Sequence, residues 1–284
     1  MGQFEAREYS SSSGAILPPP QLKLQESSVD PDEYINAQLS EEQKEQLINS
    51  AETFSNILRL SATSVFGLET ETYQAEENVE HYRFGNGADR TYSESDIARM
   101  ERDIPNFPGG RSGELAEFIE SIRGQLTSEG GSPRFFHLWN NSQNNAWSSV
   151  DSNKTPWFYA VGLFNFSYSA RVRVSGLTAI IEYKTYIFDR YDWNPGQGIE
   201  VPKGSIVPPH LGVDQADYLV PGTIDPLKKF ALPGESRAYI SQSTRNPDRY
   251  FVADEVMCAL EAAGEAKRFN IVGASAIKTI KVYF

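Results

Sequence analysis

Residues 189 to 194 read Asp-Arg-Tyr-Asp-Trp-Asn, and Pro195, Gly196, Gln197 and Gly198 follow at once. Two carboxylates, a phenol and an amide therefore close the most strand-like run of the chain, where it enters a turn. Catalytic and ligand-binding groups tend to be displayed at such places. Period-two geometry puts Asp189 and Tyr191 on one side of the strand and Asp192 on the other. A plainer reading stands beside this one: Asp and Asn side chains bond to nearby backbone amides in turns of any protein, and Tyr191 would then continue an aromatic face.

The elements that must position this stretch lie on both sides of it. Phe164, Phe166, Tyr168, Ala170, Val172 and Val174 alternate along one strand, and Ser175-Gly176 offers a two-residue turn. Leu177, Ala179, Ile181, Tyr183, Thr185 and Ile187 alternate on the return strand, which runs into Asp189. A long central hairpin follows from this pattern. Ahead of it, Phe135 to Trp139 predict a strand and Trp157 to Val161 lead into the hairpin. Helices are predicted at Glu94–Arg102 and Glu114–Arg123, the second with an apolar stripe of Leu115, Phe118, Ile119 and Ile122.

Earlier still, Ser40 and Gln43 form a capping box for an amphipathic helix carrying Leu47, Ala51, Phe54 and Leu58. Residues 1 to 35, with Ser10–Ser13 and Pro18–Pro20, read as a disordered or loosely attached tail. Residues 199 to 229 read as an excursion with little regular structure. Downstream come a short strand around Arg237–Ile240 and a helix from Asn246-Pro247 to about Ala263. Two terminal strands follow, at Phe269–Val272 and Ile277–Phe284. The fold class is α+β, divided as a tail (1–35), a helical region (36–130) and a β-rich domain (131–284).

Composition narrows the function classes. Residues 1–80 hold 15 acidic and 4 basic side chains, while residues 81–284 hold 23 and 22. An acidic front thus precedes a nearly neutral body without a basic face, so nucleic acid is not an expected partner. Cys258 is the single cysteine, which excludes an intrachain disulfide and reads as a small core residue. No segment approaches the roughly 20 apolar residues of a membrane span, and the first residues lack a secretory pattern. The expectation is a soluble, cytoplasmic chain unless it is released by a non-classical route.

Three segments taken together resemble the colicin M-like family of bacteriocins. The family signature reads Asp-x-Tyr-Asp-x-Asn, three variable residues, then His-Arg, and Asp189, Tyr191, Asp192 and Asn194 fall on it in order. Upstream, His81 to Arg90 (His-Tyr-Arg-Phe-Gly-Asn-Gly-Ala-Asp-Arg) is similar to a Gly-Asn-Gly-Ala-acid-Arg segment. Downstream, Leu232-Pro233-Gly234-Glu235 is similar to a Leu-Pro-Gly-Glu. The resemblance covers about residues 75 to 240. It implies a curved, open antiparallel β-sheet, or half-barrel, with peripheral short helices, preceded by a helical region.

The resemblance also implies a magnesium-dependent hydrolase that cuts lipid II between lipid and pyrophosphate. Asp189, Tyr191 and Asp192 would be catalytic, Asp189 and Asp192 the metal ligands, and Asn194 and Arg90 ligand-binding. Magnesium on carboxylates would neutralise a pyrophosphate leaving group. The sequence departs from the pattern where the His-Arg pair should stand, at Gly198 and Ile199. Neither residue can transfer a proton, and loss of a general acid/base costs about 10²–10⁴-fold in rate. Family-type hydrolysis is therefore expected to be weak or absent. Two alternatives remain open: His210, in the Pro208-Pro209-His210 loop, serves as a substitute base, or the chain is a non-enzymatic interaction protein. His81 and His137 sit beside aromatics and read as packing or hydrogen-bonding residues.

Overall fold

The computed structural model describes residues 5–20, 22, 74–104, 107, 113–127, 131–138, 142–143, 156–162, 164–193, 198–202, 240–242 and 249–283. The helix predicted from Ser40, together with Asn194, His210 and Leu232–Glu235, lies outside the described residues. The chain divides into two compact units, one of residues 1–25, 89–190 and 270–284, the other of 26–88 and 191–269. This division follows spatial packing and so differs from the sequential one expected from composition.

In chain order the strands are β1 (Ala6–Tyr9), β2 (Arg90–Tyr92), β3 (Arg134–Leu138), β4 (Ser142–Gln143), β5 (Asn165–Ser175) and β6 (Thr178–Tyr191). They continue as β7 (Gly198–Pro202), β8 (Ile240–Gln242), β9 (Arg249–Ala253), β10 (Phe269–Ala274) and β11 (Lys278–Tyr283). The helices are α1 (Gln74–Phe84), α2 (Glu94–Asp103), α3 (Glu114–Arg123), α4 (Pro156–Val161) and α5 (Glu255–Ala262).

The first unit is built on the β5–β6 hairpin. Its ladder runs from Asn165↔Phe188 to Ser175↔Thr178. The turn is therefore Gly176-Leu177, one residue later than predicted, and Gly176 supplies the positive φ of 60° that it needs. The sheet order is β1-β3-β5-β6-β10-β2, with β4 on β5 and β11 on the first half of β6. Where β11 gives way to β10, Ser275 bridges: its N–H donates to Thr185 O and its Oγ accepts from Thr185 N–H.

The sheet is open and mixed, not purely antiparallel, because β2 pairs with β10 in parallel. Parallel neighbours need a long crossover, and here the two strands come from opposite ends of the unit's chain. The expected loose tail is also structured in part. Ala6–Tyr9 pairs with β3 as a sheet strand, and Glu8 forms a bidentate pair with Arg134. Its alternation is too short to stand out in sequence.

One face of the sheet is apolar. Phe136, Phe166, Tyr168, Ala170, Val172, Ala179, Ile181 and Ile187 are buried on it. Phe118 of α3 stacks on Tyr168 at 5.9 Å, and Phe107 meets Phe164 and Phe166 edge-on. α2 starts at Ser93, whose Oγ accepts from Asp96 N–H while its own N–H donates to Asp96 Oδ2, a reciprocal cap that satisfies two orphan donors. This helix brings Ile97 so close to Gly273 of β10 that a Cβ there would lie 2.8 Å from Ile97 Cδ1. Trp157 to Val161 falls in the short helix α4, and Trp157 Nε1 donates to Asp103 Oδ2 at 3.1 Å.

The second unit pairs α1 with α5. Val79 and Tyr82 of α1 and Met257, Cys258 and Leu260 of α5 are buried, and the Tyr82 hydroxyl donates to the Met257 carbonyl at 3.3 Å. A three-stranded antiparallel sheet, β7-β9-β8, completes it. The helix predicted from Asn246-Pro247 to Ala263 is thereby corrected. Arg249–Ala253 is strand β9, and only Glu255–Ala262 is helical. The Arg-Tyr-Phe-Val-Ala run has the aromatic and β-branched composition of a strand, which the Asn-Pro signal masked. No described helix is long and apolar enough to cross a membrane.

Candidate functional site

Strand β6 delivers the signature residues as the alternation requires. Asp189 continues the buried register of Ile187 and is only 4% exposed, and Tyr191 is 8% exposed. A carboxyl group that deep needs polar company or loses its charge. Asp189 and Arg190 belong to the first unit, whereas Tyr191, Asp192 and Trp193 belong to the second.

In the first unit, Arg190 Nη1 donates to Asn270 Oδ1 at 3.3 Å. Asn270 in turn donates from Nδ2 to Asp89 Oδ1 at 2.9 Å, and its backbone N–H reaches the same oxygen at 3.3 Å. Asp89 ends the Gly85–Asp89 segment. Asn270 of β10 therefore ties that segment to the signature strand. Arg90, expected to bind ligand, sits on β2 opposite Ile271, with its guanidinium 5.6 Å from the Tyr92 ring centroid.

In the second unit the signature residues enter an aromatic cluster. Tyr191 stacks on Phe269 at 5.0 Å and meets Tyr82 and Trp193 edge-on at 5.9 and 6.0 Å. The Trp193 carbonyl accepts from Cys258 Sγ at 3.1 Å, so the lone cysteine is a packed hydrogen-bond donor. The polar rim of this cluster is charged. Glu261 Oε2 accepts from the Tyr82 hydroxyl at 3.2 Å and from Arg268 Nε at 2.9 Å. Burial, then the Glu261 charge, push the Tyr82 phenol well above its ordinary pKa, so it stays a protonated donor.

Burial alone would lower the Arg268 pKa. The hydrogen bond and charge of Glu261, followed by the charge of Asp192, outweigh it and leave the guanidinium above its ordinary value. Asp192 thus has a cation for company, and that cation is Arg268. Among the described residues no group of three or more His, Cys, Asp and Glu side chains is placed to hold a metal ion.

The remaining predicted residues are placed as follows. Gly85-Asn86-Gly87 is a tight turn with φ of 53° at Asn86 and 77° at Gly87. His81 closes it, its Nε2 lying 2.6 Å from the Ala88 carbonyl, and its ring packs edge-on against Phe269. His137 stacks on Tyr9 at 5.2 Å. Gly198 and Ile199 are the first residues of β7, in register with Ala253 and Val252 of β9.

Sequence reasoning missed Asp89, Tyr82, Glu261, Arg268 and Asn270 as partners of the signature. The last three lie in the C-terminal stretch that no motif covers, and nothing in their local spacing marks them. Comparison with family models, with characterised proteins and with solved structures finds no match for this chain.

Proposed function

We propose that this chain is a colicin M-like protein related to the antibacterial toxins that degrade lipid II, with family-type hydrolysis weak or absent. On this reading the signature stretch retains a ligand-binding role toward a lipid-linked pyrophosphate or a similar anion. The observation that carries the proposal is the pair Gly198–Ile199, whose backbone is committed to the ladder with β9. The positions that the resemblance assigns to an acid/base and a cation thus offer neither an imidazole nor a guanidinium. The Asp192 charge felt by Arg268 supports a positively charged element kept near the signature from another part of the chain.

The test is direct. Purified lipid II with magnesium is incubated with the full chain, and release of the polyprenyl alcohol is followed by chromatography. Slow or undetectable release, together with measurable binding of a polyprenyl pyrophosphate, is the expected result. Rapid magnesium-dependent release would overturn the proposal of an attenuated site.

A further inference from the structure

The β5–β6 hairpin runs on past its neighbours in the large sheet. β3 pairs with β5 only from Ser169 to Val172, so beyond Val172 that side of β5 has no partner strand among the described residues. On the other side β11 follows β6 to the turn, where Tyr283 faces Thr178. The result is a three-stranded end, β5-β6-β11, and its face opposite the apolar core is accessible. Arg173, Ile180 and Lys281 lie side by side across the three strands, and Ser175, Thr178 and Tyr283 form the next row toward the turn. Leu177 stands in the turn itself. Leu177, Ile180 and Tyr283 are 68%, 42% and 64% exposed, and Arg173 and Lys281 are exposed beside them. Farther from the turn the same face is closed. Asn165, Ser167 and Ser169 are buried there, and Arg171 and Tyr186 donate to the carbonyls of Gly14 and Ile16.

At this end the charge of the chain reverses. The whole protein carries a formal charge of -12, yet residues 171–181 and 276–283 hold two Arg, two Lys and no Asp or Glu. Two of these cations are engaged: Arg171 pairs with Glu182 at 2.8 Å, and Lys278 bonds Glu101 from the opposite face. Arg173 and Lys281 form no salt bridge among the described residues. The Lys281 ammonium lies 5.3 Å from the Tyr283 ring centroid, which places a cation and an amphipathic aromatic at one spot.

We propose that this hairpin end docks on the surface of an anionic phospholipid bilayer. Leu177 leads into the headgroup layer, Ile180 and Tyr283 follow, and Arg173 and Lys281 meet the lipid phosphates. Strand spacing and rise make the exposed face about 10 Å by 13 Å, far short of the roughly 800 Å² per partner of a stable protein interface. Two Lys on the edge strand β11 also discourage strand pairing with a second copy. A bilayer asks for less: a few apolar side chains combined with cations give reversible anchoring. Tyr suits the membrane–water boundary, and anionic lipids attract Arg and Lys. The same surface repels the acidic remainder of the chain, which confines contact to this end. The docking surface lies wholly in the first unit. It uses no residue of the signature stretch and does not rest on action upon a lipid-linked pyrophosphate.

The experiment is co-sedimentation of the full chain with vesicles of phosphatidylcholine alone or mixed with phosphatidylglycerol, both free of lipid-linked pyrophosphate, at low and high salt. Binding to the mixed vesicles at low salt, and its loss at high salt, are expected. Each cation at an anionic surface strengthens binding about five-fold, so Arg173→Gln/Lys281→Gln should weaken it about twenty-fold. Leu177→Ser should weaken it several-fold, and the charge-retaining Arg173→Lys/Lys281→Arg should bind like the parent, which separates lost charge from a disturbed fold. Absence of binding to the mixed vesicles, equal binding to phosphatidylcholine alone, or parental binding by the Gln variant or by Leu177→Ser overturns the proposal. A dimer in light scattering that Leu177→Ser dissociates, without vesicle binding, assigns the surface to a second copy and overturns it as well.

Discussion

Replacing Arg268 with Met isolates the charged rim beside the signature. Arg268 and Glu261 side chains are 10% and 18% exposed, and their contact is 2.9 Å. Exposed ion pairs contribute about 0–1 kcal/mol, whereas breaking a fully buried pair costs about 3–5 kcal/mol. Exposure this low but not zero places Arg268→Met between these limits, at about 2 kcal/mol. Met keeps the apolar stem, so the loss is charge and hydrogen bonding rather than volume. The substitution takes the Arg268 donor from Glu261, which also accepts from the Tyr82 hydroxyl, and removes the cation near Asp192.

Urea unfolding of the parent, Arg268→Met, Glu261→Gln and the double variant gives a double-mutant cycle. A coupling of about 1–2 kcal/mol is expected, with a single-variant cost near 2 kcal/mol. Arg268→Lys should recover only part of it, since a point charge does not reproduce the guanidinium fork. A cycle coupling near zero, with Arg268→Met within about 0.5 kcal/mol of the parent, would refute the reasoning that this pair anchors the rim.

Gly273→Ala forces a Cβ to within 2.8 Å of Ile97 Cδ1 and 3.2 Å of Ile187 Cγ1, and overpacking of this kind costs about 1–3 kcal/mol. Thermal unfolding should report it, and Gly273→Ala combined with Ile97→Val should regain part of the loss. Tyr186→Phe removes the hydroxyl that holds Ile16. It should cost about 1 kcal/mol and raise hydrogen exchange at the amides of residues 14–17, with little change in the β5–β6 ladder. His137 has a folded pKa below its ordinary 6.5, from burial first and the Arg7 charge second. The unfolded chain therefore binds the proton more readily, and stability falls as pH drops from 6.5 toward the folded value. His137→Gln should flatten this dependence in urea midpoints measured across that window.

Much of the framework was legible because it rests on local pattern. Period-two alternation from Phe164 to Ile187 specifies a hairpin wherever one face is buried, and β5 and β6 fall where it predicts. The apolar stripe of Leu115, Phe118, Ile119 and Ile122 similarly marks α3. Short strands were illegible for the converse reason. Ala6–Tyr9 and Arg90–Tyr92 are stabilised by partners distant in sequence, and three or four residues carry too little periodicity to read. In β9 a local helix-start signal conflicts with strand composition, and pairing with β7 and β8 decides the outcome.

By itself, the sequence determined which groups stand at the end of the central strand. Asp189 and Tyr191 share a side of β6 because strand geometry leaves no other choice. It also determined that Gly198 and Ile199 bring no acid, base or charge. Tertiary structure alone decided the company those groups keep. Arg268 reaches the charge of Asp192 from 76 positions away in the chain, and Asn270 joins Asp89 to Arg190 across a parallel strand pair. Only the covering of the sheet's second face turned Asn165, Ser167 and Ser169 from ordinary solvent-side residues into a buried polar row. The reason is physical: alternation along a strand states which face a side chain takes, while burial and pairing depend on chain segments whose distance in sequence hides them.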